Sequence, residues 1–458
     1  MTLIKSISGI RGTIGGKPGE GLTPLDVVKF TSAFAAWVKE IQRTGSIRIV
    51  VGRDARTSGE MVRQLVCGTL SGMGMEVVDL GLATTPTVEI AVAEEKAGGG
   101  MILTASHNPG QWNALKLLNE NGEFVSPEDG QRILKIAAGE AFEYAPAEKT
   151  GRIIPLEGYA QKHIERILEL ELVHADAIRK AGLRVAVDCV NSVGGLILPS
   201  LLRQLGVEEV IELYCEPNGL FPHNPEPLPE HLKDLSQAVV KHGASVGLAV
   251  DPDVDRLAIV DEQGNMFGEE YTLVAIADYV LGKTPGNTVS NLSSSRALKD
   301  VTEKQGGQYF ASAVGEVNVV HAMKKNAAVI GGEGGGGVIY PRMHYGRDAL
   351  TGAALFLSHL ADAGTTASRL RKRYPEYFIT KNKISFDPSV SIDGILRKVA
   401  GKYSGFELNW EDGLKVDMPQ GWIHLRKSNT EPILRIYTEA ASEKEAGSLA
   451  KEVMDLIR

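Results

Sequence analysis

Residues 245–256 read SVGLAVDPDVDR, and the fold turns on how this stretch is taken. Its first half, GLAV, is apolar with no polar alternation, the pattern of a strand covered on both faces. Its second half is a loop with carboxylates at Asp251, Asp253 and Asp255. Pro252 fixes its own φ and restricts Asp251, which suits a chain leaving a strand. The run PEHLKDLSQAVVKHGA before it reads as a helix. Helix, short apolar strand and distinctive loop together make half of an α/β unit.

Working outward, the same order of elements recurs three times, though the sequence itself does not repeat. The first copy opens with the strand IRIVV at 47–51, the helix MVRQLVCGTLSGMG and the strand MEVVDL. It continues through PTVEIAVAEEKAGGG to MILTASHNPG at 101–110. The second opens with LRVAV at 183–187, then LILPSLLRQLG and EEVIELY, and leads to SVGLAVDPDVDR. The third opens with NTVSNL at 287–292, then SRALKDVTEKQGG and QYFAS, and leads through VNVVHAMKKN to AAVIGGEGGGG. Strands alternating with helices argue for mostly parallel sheets. In such sheets ligands bind beyond the carboxyl ends of strands, and all three unusual loops leave from there.

The last part differs. ITKNKISF, GLKVDM, GWIHLRK and ILRIYTEA read as short strands and SEKEAGSLAKEVMDLIR as a closing amphipathic helix. The expected architecture is three similar α/β domains with mixed, mostly parallel sheets, followed by a smaller α+β domain. The boundaries fall at 1–150, 151–255, 256–370 and 371–458.

The totals exclude several classes. The 458 residues exceed one core and suggest roughly three domains. A formal net charge of -8 argues against nucleic-acid or membrane-surface binding, which calls for a basic excess. No run of 18 apolar residues exists for a membrane span. MTLIKSISGIRG lacks the form of a signal peptide, so the expected location is cytoplasmic. Cys67, Cys189 and Cys215 are too scattered for a disulfide framework or a zinc site.

The acidic loop has two readings, a solvated turn or a metal site. Extended, Asp251 and Asp255 would stand about 13 Å apart. Magnesium holds oxygens at about 2.0–2.1 Å, so a site requires the stretch to curl. Three acids in five residues straight after a buried strand favour metal. An EF-hand is excluded although Glu262 falls at its twelfth position, because Arg256 stands where the calcium loop needs glycine and the flanks are strands. Three carboxylates overcompensate a divalent ion, so a further anionic ligand would need cations nearby. Arg256, Arg11 and Lys116 are the candidates, a combination that suits a phosphoryl group held on a metal.

Four loops then become recognisable in order: TASHNP at 104–109, DPDVDR at 251–256, GGEGGGG at 331–337 and RKSNTEP at 426–432. They resemble the signature loops of the α-D-phosphohexomutase superfamily, across nearly the whole chain. The resemblance implies four domains around a central cleft and interconversion of hexose 6- and 1-phosphates through a bisphosphorylated sugar. Ser106 would be the phosphoserine. Magnesium would be held by Asp251, Asp253, Asp255 and a phosphate oxygen on Ser106. His107, Lys116, Arg256 and Arg11 would sit beside the reacting oxygens, and Glu333 would hold sugar hydroxyls. Arg426, Ser428, Asn429, Thr430 and Arg435 would grip the phosphate that is not reacting. RKSNT read alone is equally an ordinary polar hairpin.

The family's sugar loop commonly reads Gly-Glu-x-Ser-Gly-His, whereas here Gly335 and Gly337 replace the serine and histidine. Such glycines suit either close backbone approach to a ligand or a mobile flap. Glycine-rich versions of this loop with DPDxDR resemble archaeal-type phosphoglucosamine mutases. That resemblance implies glucosamine phosphate as substrate, with a phosphomannomutase/phosphoglucomutase of the same mechanism as the alternative, a hexose bisphosphate activator, and a monomer or homodimer. Glu316, in VGEVNV, falls where a substrate amine could be met. His163, His231 and His321 read as structural or surface residues within helical runs. VGRDARTS reads as a strand-to-helix turn capped by Asp54, Thr57 or Ser58.

Overall fold

A computed structural model describes residues 1–6, 9–42, 47–386, 391–427 and 433–457. It divides into two compact units, Met1–Thr272 with Gly335–Leu370, and Leu273–Gly334 with Arg371–Arg458.

The first unit holds two of the three expected copies. In the first copy the strand Arg48–Arg53 pairs in parallel with Glu76–Leu82 on one side and Gly99–Leu103 on the other. Gly99–Leu103, GGMIL, is buried at every position. A Cβ on Gly100 would stand 2.5 Å from Val92 Cγ2, so glycine is what lets the covering helix Thr85–Glu94 lie this close. That helix starts where Thr84 accepts from the Thr87 amide and Pro86 occupies its first turn. The sheet extends further than the repeat predicts. Trp112–Leu118 joins Gly99–Leu103 antiparallel, Gly9–Thr13 joins Trp112–Leu118, and Leu3–Ser6 completes the edge. This addition brings Arg11 and Lys116 onto one face, since Arg11 lies opposite Ala114 and Gly9 opposite Lys116. Phe34, Trp37, Val51, Met101 and Leu115 form part of the core beneath. Burying each such side chain fully stabilises by roughly 1.5–3 kcal/mol.

The second copy repeats the order. Arg184–Asp188 lies in parallel between Glu209–Leu213 and Val246–Val250. Val246–Val250 is buried throughout, and Leu257–Val260 returns antiparallel beside it after the acidic loop. The helix Ala349–Ala363, almost wholly buried, completes this unit, capped by Asp348 accepting from the Leu350 amide.

The second unit holds the third copy, in which Asn287–Asn291 lies in parallel between Tyr309–Ser312 and Ala328–Glu333. In all three copies the loop-bearing strand neighbours the opening strand. The remainder is an antiparallel sheet in the order Phe378–Ser385, Ile433–Ala440, Gly421–Lys427, Leu414–Met418, Glu407–Asn409. The helices Ile392–Lys402 and Glu443–Ile457 contribute Val399 and Val453 to its core.

Candidate active site

The serine loop leaves the buried strand Gly99–Leu103 in a strained turn. Ser106 has a φ of 48°, the left-handed region that a side chain disfavours, and it is 7% exposed. What holds it there is a buried ion pair formed by Asp54, one of the three cap candidates in VGRDARTS. Asp54 does not cap. Its Oδ2 accepts from Arg56 Nε at 2.9 Å and from Thr104 Oγ1 at 2.6 Å, and Thr104 Oγ1 accepts from the Ser106 amide at 2.9 Å. Ser58 occupies the cap position without a capping hydrogen bond. The Arg56 guanidinium then donates to the carbonyls of Ser106, Asn108, Pro109 and Trp112. Four carbonyls on one buried guanidinium fix the loop.

The acidic loop does curl. Val254 takes a φ of 64°, and the amides of Asp255 and Arg256 both donate to Asp251 Oδ1 at 3.1 Å. Ser106 Oγ donates to the other oxygen, Asp251 Oδ2, at 2.7 Å. All three aspartates are fully buried, and each offers an oxygen within 4.8 Å of the others. Asp253 Oδ2 accepts from Lys116 Nζ at 2.6 Å and from Thr85 Oγ1 at 2.5 Å, at the start of the helix Thr85–Glu94. Asp255 Oδ2 accepts from Arg347 Nη2 at 2.7 Å, with Lys116 at 3.4 Å. Among the described residues, Asp253 Oδ1 and Asp255 Oδ1 are buried with no hydrogen-bond partner. Two buried carboxylate oxygens without a partner are costly unless a cation meets them, so the donor set fits a hard divalent ion. A solvated acidic turn does not describe this loop.

The electrostatics are those of a crowded anionic centre ringed by cations. Burial, then repulsion from Asp255 and Asp253, pushes the Asp251 pKa up. Burial acts to raise Asp255 too, but Arg347, Lys116 and Arg256 outweigh it and hold that carboxyl below its usual range. His107 Nδ1 lies 3.3 Å from Ser106 Oγ. Burial first, and then the charge of Arg256, depress its pKa to about 2, leaving a neutral imidazole beside the serine. Arg11 donates to Asn108 Oδ1 at 3.2 Å, and its pKa is lowered by burial and by Arg256.

The glycines of the 331–337 loop are explained in part by the side chains they admit. A Cβ on Gly337 would stand 2.4 Å from Arg347 Cδ, and one on Gly336, whose φ is 82°, would stand 2.3 Å from the Leu257 carbonyl oxygen. A Cβ on Gly335 would lie 3.5 Å from Arg256 Nη1. Close approach to neighbouring protein groups is therefore why Gly336 and Gly337 lack side chains.

Of the residues expected from sequence, Ser106, His107, Lys116, Arg11, Arg256 and the three aspartates all belong to the first unit. Glu333 lies in the second, at the end of its strand, where its Oε1 accepts from Asn291 Nδ2 at 2.9 Å and the Gly315 amide at 3.1 Å. Glu316 heads the helix Glu316–Lys325 and is 8% exposed, which leaves little of it for a ligand. Arg426 Nε lies 3.1 Å from Asp412 Oδ2, and Arg435 Nη1 donates to Tyr437 Oη at 3.3 Å. Ser428, Asn429 and Thr430 lie outside the described residues. His163 is structural, fully buried between Thr87 and Asp348, and His231 lies in a turn before its helix. Thr85, Arg347, Arg56 and Asp54 were missed as site residues. Their contacts span tens to more than a hundred residues or, for Asp54, hide in a turn motif.

Comparisons with known proteins agree with this class of fold and site. Models of phosphoglucomutase/phosphomannomutase domains match in sequence: α/β/α domain I over residues 3–144, domain II over 161–264, domain III over 268–377 and the C-terminal domain over 392–456. The fold and catalytic class are thus those of the phosphohexomutases, which are isomerases. The chain belongs to the phosphoglucomutase/phosphomannomutase family. A Methanopyrus kandleri protein named "probable phosphoglucosamine mutase" is 34% identical over 455 residues, 98% of this chain and 97% of that one. A Thermococcus kodakarensis protein named phosphoglucomutase/phosphomannomutase is 36% identical over 443 residues, 95% of each. The crystal structure of a phosphoglucomutase/phosphomannomutase family protein from Burkholderia thailandensis superposes with a TM-score of 0.84 at 26% identity, covering 99% of this chain and 98% of that one.

Proposed function

We propose that this chain is a phosphoglucosamine mutase, interconverting glucosamine 6-phosphate and glucosamine 1-phosphate through a phosphoserine at Ser106. The observation that carries the phosphoserine chemistry is the 2.7 Å hydrogen bond from Ser106 Oγ to Asp251 Oδ2, across 145 positions, beside two orphaned carboxylate oxygens; the relative at 34% identity named probable phosphoglucosamine mutase supports the sugar. Asp251, Asp253, Asp255 and a phosphate oxygen on Ser106 would hold magnesium, which when bound neutralises charge on the transferring phosphoryl group.

In each half-reaction the P–O bond to Ser106 breaks and one to a sugar hydroxyl forms, or the reverse. The proton of that hydroxyl passes to Ser106 Oγ, and Asp251 already accepts a hydrogen bond from the resulting serine. Lys116, Arg256 and Arg11 offset the charge of the phosphoryl group. Neutral His107 adds no positive charge and offers a ring nitrogen to the reacting oxygens. Glu333 is assigned to the sugar hydroxyls, and Arg426 and Arg435, with Ser428, Asn429 and Thr430, to the non-reacting phosphate. The sugar bisphosphate is the intermediate and serves as activator. Our reading also takes the enzyme as cytoplasmic, with four domains bounded as given above, and as a monomer or homodimer. Among the described residues, no helix is long and apolar enough to cross a membrane.

The relative at 36% identity, named for glucose and mannose phosphates, favours a second reading with the same chemistry on those sugars. Intact-mass measurement should find a fraction of chains heavier by one phosphoryl group, absent from Ser106→Ala. An active Ser106→Ala enzyme would end both readings. Parallel assays on glucosamine, mannose and glucose phosphates separate them, with glucosamine phosphate expected to give the highest kcat/KM.

A further inference from the structure

Among the described residues, Asp253 and Asp255 each have one oxygen engaged and one without a partner, and Asp251 has both engaged. Asp251 Oδ1 takes two amides and its Oδ2 the Ser106 hydroxyl, Asp253 Oδ2 takes Thr85 and Lys116, and Asp255 Oδ2 takes Arg347, with Lys116 at 3.4 Å. Asp253 Oδ1 and Asp255 Oδ1 are the single oxygens those two carboxylates leave to face an ion. Around Asp255 the arrangement depends on a side chain from far along the sequence. Arg347 reaches Asp255 because its stem runs where residue 337 has no Cβ, 2.4 Å from the place a Cβ would occupy. Its neighbours anchor it. His344 Nδ1 lies 3.2 Å from Glu89 Oε2, and the Asp348 carboxylate is held by His163 and Thr351. By the other oxygen, Asp255 Oδ1, Arg256 Nε stands at 3.9 Å, beyond hydrogen-bond range.

We propose that Arg347, admitted by Gly337, is a positioning residue that keeps Asp255 monodentate and so makes the site select a small octahedral ion over calcium. The proposal rests on the reading of the triplet as a metal site given above. Magnesium demands near-ideal octahedral geometry from single oxygens, whereas calcium takes six to eight ligands and accepts bidentate carboxylates. Freeing Asp255 Oδ2 lets that carboxylate turn and offer both oxygens. Removing the arginine's charge also changes the site's affinity for any divalent ion. That effect is nearly equal for two ions of the same charge and drops out of their ratio, so the ratio is the quantity that reads positioning.

The test is competition for bound Mn2+, followed by its free-ion EPR signal, on the full chain without substrate and titrated with Mg2+ or Ca2+. Arg347→Ala should move the Mg2+-to-Ca2+ affinity ratio toward calcium by about tenfold, the scale on which outer partners tune metal sites. Gly337→Ala should do the same by displacing the arginine, and the double variant should shift no further than Arg347→Ala alone. Arg347→Lys should recover part of the ratio. Mn2+ binding with an unchanged ratio in Arg347→Ala overturns the proposal and leaves the metal site standing. Absence of Mn2+ binding in the parent chain, at concentrations where Asp255→Asn gives the same result, overturns the metal site itself.

Discussion

Arg56 donates a hydrogen bond from its guanidinium to the main-chain carbonyl oxygen of Ser106, fifty residues along the chain. The arginine is 1% exposed and its partner Asp54 fully buried, with burial pushing the Asp54 pKa up and Arg56 opposing it. Arg56→Ala removes the loop's four carbonyl contacts and leaves Asp54 buried without its cation. Breaking such a pair costs about 3–5 kcal/mol. We expect a drop of many degrees in the melting temperature and, at a temperature where the variant is folded, about a hundredfold loss of kcat from a misplaced serine. Retention of kcat in folded Arg56→Ala would show that the loop holds its shape without the arginine.

Lys116 lies 2.6 Å from Asp253 Oδ2 and 3.4 Å from Asp255 Oδ2. Burial would lower its pKa, but the two aspartates outweigh that and raise it, so it stays charged. In Lys116→Met those buried acids lose a cation. The metal-free variant should melt well below the parent. Saturating magnesium should then raise its melting temperature by more than it raises the parent's, because bound ligand stabilises the state that needs it. Equal magnesium-induced shifts in the two proteins would contradict this account. Activity should fall as well, since the lysine is assigned to the phosphoryl group.

Arg426 carries the distal-phosphate reading. Its Nε forms an ion pair with Asp412 Oδ2 at 3.1 Å, and Asp412 accepts a hydrogen bond from the Val314 amide at 3.1 Å. A hydrogen bond to a charged group contributes about 1.5–3 kcal/mol, so Arg426→Ala should raise KM for a phosphorylated sugar about tenfold or more. The phosphoserine should persist, because its formation belongs to the other unit's residues. An unchanged KM would remove Arg426 from substrate recognition.

The parts of the fold that follow a local period were open to reading from the sequence. All three strand–helix–strand copies and the four chief strands of the last domain fall where the alternation of apolar runs and turns puts them. The strands Leu3–Ser6, Gly9–Thr13 and Trp112–Leu118 were not anticipated, because their membership in the sheet depends on pairing with a distant neighbour. The helix Ile392–Lys402 and the strand Glu407–Asn409 also went unassigned. At the site, DPDVDR declared itself because its three carboxylates lie within five residues. The groups that aim those carboxylates did not. Thr85 reaches Asp253 across 168 positions and Arg347 reaches Asp255 across 92. Nothing in TTPT or HYGRD differs locally from an ordinary cap or loop. Asp54 misled for the opposite reason, since a short acid in a turn before a helix is a good cap candidate until a buried arginine two residues on claims it.

His344 sets a pH limit on stability from the alkaline side. Its ring lies 3.2 Å from Glu89 Oε2 and 3.6 Å from Asp348 Oδ2. Burial alone would lower its pKa, but pairing with the Asp348 and Glu89 carboxylates raises it to about 9. An unfolded histidine titrates near 6.5. The folded protein therefore holds this proton more tightly, and the stability so gained is fully present below about pH 6.5 and lost as pH rises through about 9. Asp348 acts in the opposite sense. Burial would raise its pKa, but His163 and His344 hold it low, so its contribution is present above the ordinary carboxylate range and fades only in acid. Melting temperatures between pH 6.5 and 9.5 should fall in the parent and fall less in His344→Gln, which has no ring proton to lose. The two curves should converge at the alkaline end. Parallel curves across that range would mean that His344 keeps one protonation state throughout.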